Sequence, residues 1–195
     1  MVAPAASAAS AVSEPPGGVA SGGVSAVAHG SADARSRAVR EIVAGVPDPE
    51  VPVLTIDDLG ILRDVTLDPA DRVSVTVTPT YSGCPAMDAI RADVTSALHD
   101  AGYDDVDVKL VLSPAWTTDW MSHEGRRKLL EYGIAPPAPR TTSGSGRKIE
   151  LTLSLRCPQC GSQDTQELSR FGSTACKSLW VCRACREPFD HFKAH

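Results

Sequence analysis

An α+β fold followed by a small cysteine-bound module is what this 195-residue sequence predicts, and three observations carry that reading. Val73, Val75 and Val77 alternate with polar residues and then, across a turn broken by proline and glycine, give way to Met87, Ile90, Val94 and Leu98 at helical spacing. A strand therefore hands over to a helix that packs back on it. Val106, Val108, Leu110 and Leu112 alternate again as a further strand. Two Cys-x-x-Cys pairs, Cys157 with Cys160 and Cys182 with Cys185, stand near the end with 21 residues between the inner cysteines. The length suits one ordinary domain and one small one, and 42% hydrophobic residues can fill a core.

Taken in order, residues 1–34 are rich in Ala, Ser, Gly and Pro, hold no Lys or Arg and follow neither apolar period, so a disordered tail is expected. This start matches neither a secretory signal nor a mitochondrial presequence, and no stretch approaches the roughly 20 apolar residues of a membrane span. A cytoplasmic location is the expectation. In that reducing compartment six cysteines argue for metal or redox chemistry over disulfides.

Order is expected to begin near Ser36, where Val39, Ile42 and Val43 share one face of a short helix that Gly45, Pro47 and Pro49 bring to an end. The acidic, proline-punctuated loop from Asp48 to Ile61 reads as solvated. It runs into a strand over Ile61 to Leu67, and Asp68-Pro69-Ala70-Asp71 has the composition of a hairpin turn into Val73. Pro85 suits the first position of a helix, which makes Cys84 the expected N-cap. There the positive end of the helix dipole would favour a thiolate, the form that attacks electrophiles and binds metals. The plainer alternative for Cys84 is a buried small hydrophobe.

Thr117 or Thr118 is expected to cap a helix through about Tyr132, ended by Gly133. Trp116 and Trp120 read as packing anchors, because no basic residue lies between them to support stacking on nucleic acid. His123 beside Glu124 lacks the second histidine of a helical zinc protease. Pro136, Pro137 and Pro139, followed by Thr141 to Gly146, suggest a linker. The expected organisation is thus a tail (1–34), an α+β domain (35–135), a linker (136–147) and a second domain (148–195).

In that second domain Ile149, Leu151, Leu153 and Leu155 alternate as a strand into the first cysteine pair. Two residues between thiolates let one tight turn aim both sulfurs at a single ion, and two such turns complete a tetrahedron. Cys157, Cys160, Cys182 and Cys185 at this spacing predict a zinc ribbon with a structural, closed site; an iron–sulfur cluster on the same sulfurs is the alternative. A redox Cys-x-x-Cys normally stands alone at a helix start. Cys176 fits neither pair and reads as a packed thiol before a spare ligand. His191 reads as a surface group, or as the replacement of one ligand.

Charge is uneven. Residues 1–146 carry 11 Lys and Arg against 19 Asp and Glu, whereas residues 147–195 carry 8 against 5. The net charge of -5 disfavours a nucleic-acid partner and gives no attraction to an anionic membrane.

Asp48-Pro49-Glu50-Val51-Pro52, Leu59-Gly60 and the run Thr78-Pro79-Thr80-Tyr81-Ser82-Gly83-Cys84-Pro85 with its helix resemble the SufT-type domain of iron–sulfur cluster assembly factors. Pro114 to Trp120, Gly133 to Pro137, Cys157 to Ser162, Phe171 to Lys177, Cys182 to Cys185 and Glu187 to Lys193 resemble one branch of these proteins, the PaaD (PaaJ) accessory subunits of phenylacetate-CoA oxygenases. The resemblance spans about residues 35–195. It implies a SufT-like domain followed by a zinc ribbon. The implied role is maturing or maintaining an iron–sulfur or di-iron centre in aerobic phenylacetate breakdown, with the oxygenase and reductase components of the 1,2-phenylacetyl-CoA epoxidase as partners and a homodimer left open. Cys84 would be the ligand through which a transient iron–sulfur cluster passes. The sequence itself carries neither the paired Glu-x-x-His helices of a di-iron bundle nor a glycine-rich dinucleotide fingerprint. The competing readings are a non-catalytic structural subunit and a zinc-ribbon nucleic-acid binder.

Overall fold

A computed structural model describes residues 32–137 and 155–193. Its first element, α1 (Ala32–Ala44), buries Val39 and Val43, as the spacing of those residues dictates, and starts four residues earlier than expected. The rest of the expected tail, the strand over residues 149–154 and most of the linker lie outside the described residues.

Strands β1 (Leu62–Leu67), β2 (Val73–Val77) and β3 (Val106–Leu110) form a sheet in the order β1-β2-β3. β1 and β2 are an antiparallel hairpin through the Asp68 turn, whose side chain accepts from the amides of Ala70 and Arg72. β2 and β3 run parallel because the helix α2 (Met87–Asp100) crosses between them. Val73, Val75 and Val77 are fully buried against Ile90, Val94 and Leu98 of α2. β3, at the edge, buries only Val108, and Leu110 and Leu112 remain exposed.

The region expected to be a single helix after Trp116 is two pieces. Thr117 caps a 3-10 turn over Thr118–Trp120, and Ser122 then caps α3 (His123–Glu131), its Oγ accepting from the Gly125 amide at 2.8 Å. Met121 is extended between them and buried. Trp116 is a core anchor, its indole N–H donating to the carbonyl of Leu59 at 2.9 Å. Trp120 is half-buried beneath the Arg63 guanidinium, which lies 3.5 Å from its ring centre. The closest approach here is at Gly60, with φ +70°, where a Cβ would stand 2.4 Å from the Trp120 carbonyl oxygen.

After α3 the short strand β4 (Ile134–Ala135) joins a second sheet, in the order β4-β7-β6-β5, with β5 (Thr165–Ser169), β6 (Lys177–Cys182) and β7 (Pro188–Phe192). β4 pairs in parallel with β7 at Ile134 with Asp190 and Ala135 with His191. Phe192 is 1% exposed, with its ring 6.2 Å from that of Trp116, and Cys176 belongs to the same core as the α2 helix. The two parts expected from the sequence therefore share a sheet and a core.

Candidate metal centre and thiol site

The two knuckles repeat each other atom for atom. Gly161 donates to the Cys157 carbonyl at 2.9 Å and Arg186 to the Cys182 carbonyl at 2.8 Å; the Cys157 amide reaches Ser162 at 2.8 Å and the Cys182 amide reaches Glu187 at 3.0 Å. Both turns close with a positive φ, at Gly161 and at Arg186, so the second knuckle holds in an arginine the conformation that glycine adopts freely in the first. Each turn aims its two sulfurs at one point. Cys157 and Cys185 Sγ are 3.8 Å apart, Cys160 and Cys182 Sγ 3.6 Å, and all four lie within 4.8 Å of one another. A tetrahedral ion with metal–sulfur bonds of about 2.3 Å needs sulfurs about 3.8 Å apart, so the set fits zinc and leaves no open position. Hydrogen bonds from the Cys185 and Ala184 amides pull the Cys182 thiol down while its neighbour Cys185 is pushed up, so of the two it is Cys182 that more readily gives the thiolate a metal requires.

Cys84 is not the N-cap. Pro85 and Ala86 form a further turn, α2 begins at Met87, and Ala86 occupies the cap with no side-chain bond. Cys84 therefore stands two residues before the cap. Burial pushes the Cys84 thiol up, and the Glu50 and Asp48 carboxylates add to this against the Ala86 amide and the Tyr81 hydroxyl, which hydrogen-bond the sulfur. The expected thiolate gives way to a half-buried thiol whose proton two carboxylates help to retain.

Those carboxylates come from the loop that was expected to be solvated. Asp48 is 6% exposed and its Oδ1 accepts from the amides of Glu50 and Val51, at 2.9 and 2.7 Å. Cys176 is packed, as expected for a thiol outside the knuckles, but its sulfur lies 3.5 Å from Glu50 Oε2 and 3.0 Å from Thr174 Oγ1. Burial, and then Glu50, pushes it up to about 11 despite the Thr174 hydroxyl. Tyr81 stands beside Cys84; burial first, and then the charges of Cys84, Glu50 and Cys176, push its hydroxyl up to about 12. His191 belongs to neither sulfur site. It is half-buried, with Nδ1 3.2 Å from Ser178 Oγ and its ring edge-on to Trp180, so it is not the surface group expected.

Residues 36–110 match the family model "Iron-sulfur cluster assembly protein", and residues 141–193 match "PaaD zinc beta ribbon domain". The chain is 48% identical to an Escherichia coli K12 protein that carries the name of a 1,2-phenylacetyl-CoA epoxidase subunit, over 78% of its own length and 88% of that protein's. It belongs to the PaaD family. This PaaD-family chain is also 38% identical to an Fe-S protein maturation auxiliary factor of Porphyromonas gingivalis, over 46% of its length and 82% of the other's. Among solved structures, a Bacillus anthracis domain of unknown function, DUF59, aligns with 50% of the chain and 92% of its own, at 29% identity and a TM-score of 0.47.

Glu50 and Tyr81 are the site residues that sequence reasoning left out of its candidates. The Asp-Pro-Glu run was the available signal, since an aspartate two residues before the glutamate can fold its carboxylate onto the following amides.

Proposed function

We propose that this chain matures or maintains an iron-containing centre in a partner of the phenylacetyl-CoA epoxidase system, Cys84 being the ligand through which the cargo passes and the ribbon a resident zinc site that holds the fold. Likeness to an epoxidase subunit and to Fe-S maturation factors supports an accessory role. The observation that carries the finer reading is the contrast between two sulfur sites in one molecule. The ribbon's four sulfurs close around their ion, whereas Cys84 is half-buried, faces carboxylates and leaves coordination positions for a recipient. Zinc, when bound, supplies a rigid tetrahedral staple and no reactive position. Cytoplasmic location and contact with the oxygenase and reductase belong to the same reading; among the described residues no helix is long and apolar enough to cross a membrane.

A second reading, a standing non-catalytic subunit, draws support from the name of the Escherichia coli relative. Oxygenase and reductase matured in cells containing this protein, then purified and recombined without it, should turn over at full rate. The same components from cells carrying Cys84→Ser should be folded and metal-poor, while the variant itself keeps its ribbon zinc. The proposal is overturned if the recombined, fully metallated system stays inactive until this chain is added back in stoichiometric amount, or if the Cys84→Ser cells yield fully metallated components.

A further inference from the structure

The two sheets present four edges, and among the described residues three of them are poor templates for a further strand. β1 breaks register with β2 between Leu62 and Asp64, β5 breaks register with β6 between Glu167 and Ser169, and β4 is two residues long. Irregular and short edges are how proteins keep the strands of other chains from adding on. β3 is the exception, because Val106 to Leu110 match Val73 to Val77 residue for residue. The Asp105 carbonyl accepts from the Val73 amide at 2.8 Å, and the Val111 amide donates to the Val77 carbonyl at 2.9 Å. Those bonds aim the backbone of Asp105, Asp107, Lys109 and Val111 at β2, so the alternation of a strand sends the N–H and C=O groups of Val106, Val108 and Leu110 outward. Among the described residues one of these groups has a partner: the Val108 carbonyl accepts from the Arg91 guanidinium at 2.9 Å and keeps a second lone pair.

We infer that the β3 edge is an interface between two copies of this chain, paired antiparallel about Val108, which joins their three-stranded sheets into one. The charges select that occupant. An edge strand is commonly guarded by a lysine, which repels a second copy of itself. Here Asp107 and Lys109 flank Val108, so a two-fold axis at Val108 sets Asp107 of each copy opposite Lys109 of the other. Unlike charges directly across a strand pair stabilise it and like charges destabilise it. A strand carrying one sign of charge would satisfy one of the two residues and oppose the other. Register is fixed by the same pair: sliding the second copy by two residues either way sets Asp107 against Asp107 or Lys109 against Lys109. Both side chains are more than half exposed, and their bond to each other within the strand, at 3.3 Å, contributes little that pairing would have to replace. On the other face of the strand Val106 falls opposite Leu110, which is 42% exposed in the single chain and gains an apolar neighbour.

The test is the mass of the full chain by sedimentation equilibrium, under reducing conditions with zinc in excess, at concentrations up to about 500 μM because an interface of one short strand belongs to the weak class. The parent should approach the mass of two chains at the top of that range. Asp107→Lys and Lys109→Asp each set like charges across the axis in both places, and each should weaken pairing by about tenfold or more. The double variant, Asp107→Lys with Lys109→Asp, restores unlike neighbours and should pair within about threefold of the parent. Leu110→Pro removes an amide that faces away from β2, a position where an edge strand tolerates proline, and should leave the chain single. The charge variants decide the matter if Leu110→Pro does not fold, since both side chains are exposed. The interface is overturned if the parent stays one chain throughout, if a folded Asp107→Lys or Leu110→Pro protein pairs as tightly as the parent, or if the double variant pairs no better than the single ones.

Discussion

His191 is held neutral by burial, which brings its imidazole down to about 4 from an ordinary value near 6.5. A depressed folded-state value means that stability is fully present above about 6.5 and is lost as the pH falls toward 4, because over that window the unfolded chain takes up a proton that the folded chain refuses. Between pH 7 and pH 5 the loss from this residue is on the order of 2 kcal/mol. Denaturant titrations with excess zinc should show that loss in the parent chain and not in His191→Asn, the difference between the two proteins cancelling the contribution of the knuckle thiols. At this scale much of the site was legible. The four knuckle cysteines announce themselves through spacing alone, because a metal turn is a local structure. The state of Cys84 was not legible: its thiol answers first to burial and then to Glu50 and Asp48, more than thirty residues away, and the helix starts two residues later than the Pro85 signal implies.

The loop over residues 48–61 works as an element although it holds no regular structure. Asp58 is its centre, 7% exposed, with its carboxylate accepting from the Thr55 amide at 3.1 Å, Ser122 Oγ at 3.1 Å and Lys128 Nζ at 2.7 Å. It thereby ties the loop to the cap and body of α3, where Gly125 passes so close that a Cβ would stand 2.8 Å from the Asp58 carbonyl oxygen. Asp58→Ala should cost about 2–4 kcal/mol, since it strands a cation and two donors. Asp58→Asn should cost less, because it retains the neutral hydrogen bonds. Equilibrium unfolding in urea, with equal slopes for the three proteins, is the measurement. The strands and α2 could be read from alternation and period because their partners are close in sequence. Asp58 could not, because Ser122 and Lys128 lie 64 and 70 residues further on. The break at Met121 that splits the expected helix follows from the same long-range contact.

At the scale of the whole molecule, the ribbon was expected to be a separate folding unit, and the shared sheet makes it part of one. Chelating the zinc should loosen β6 and β7, and with them Phe192 and Cys176, which sit in the first part's core. The expected outcome is a single thermal transition lowered by chelator for circular dichroism and tryptophan fluorescence alike; two separate transitions would show independent units. The parallel pairing of β4 with β7 has one more consequence. Hydrogen bonds and an aromatic contact join the two parts independently of the covalent path between residues 137 and 155. A protease site engineered there and cut in the folded protein should give two polypeptides that elute together as one body, part only in denaturant, and find each other again when it is removed.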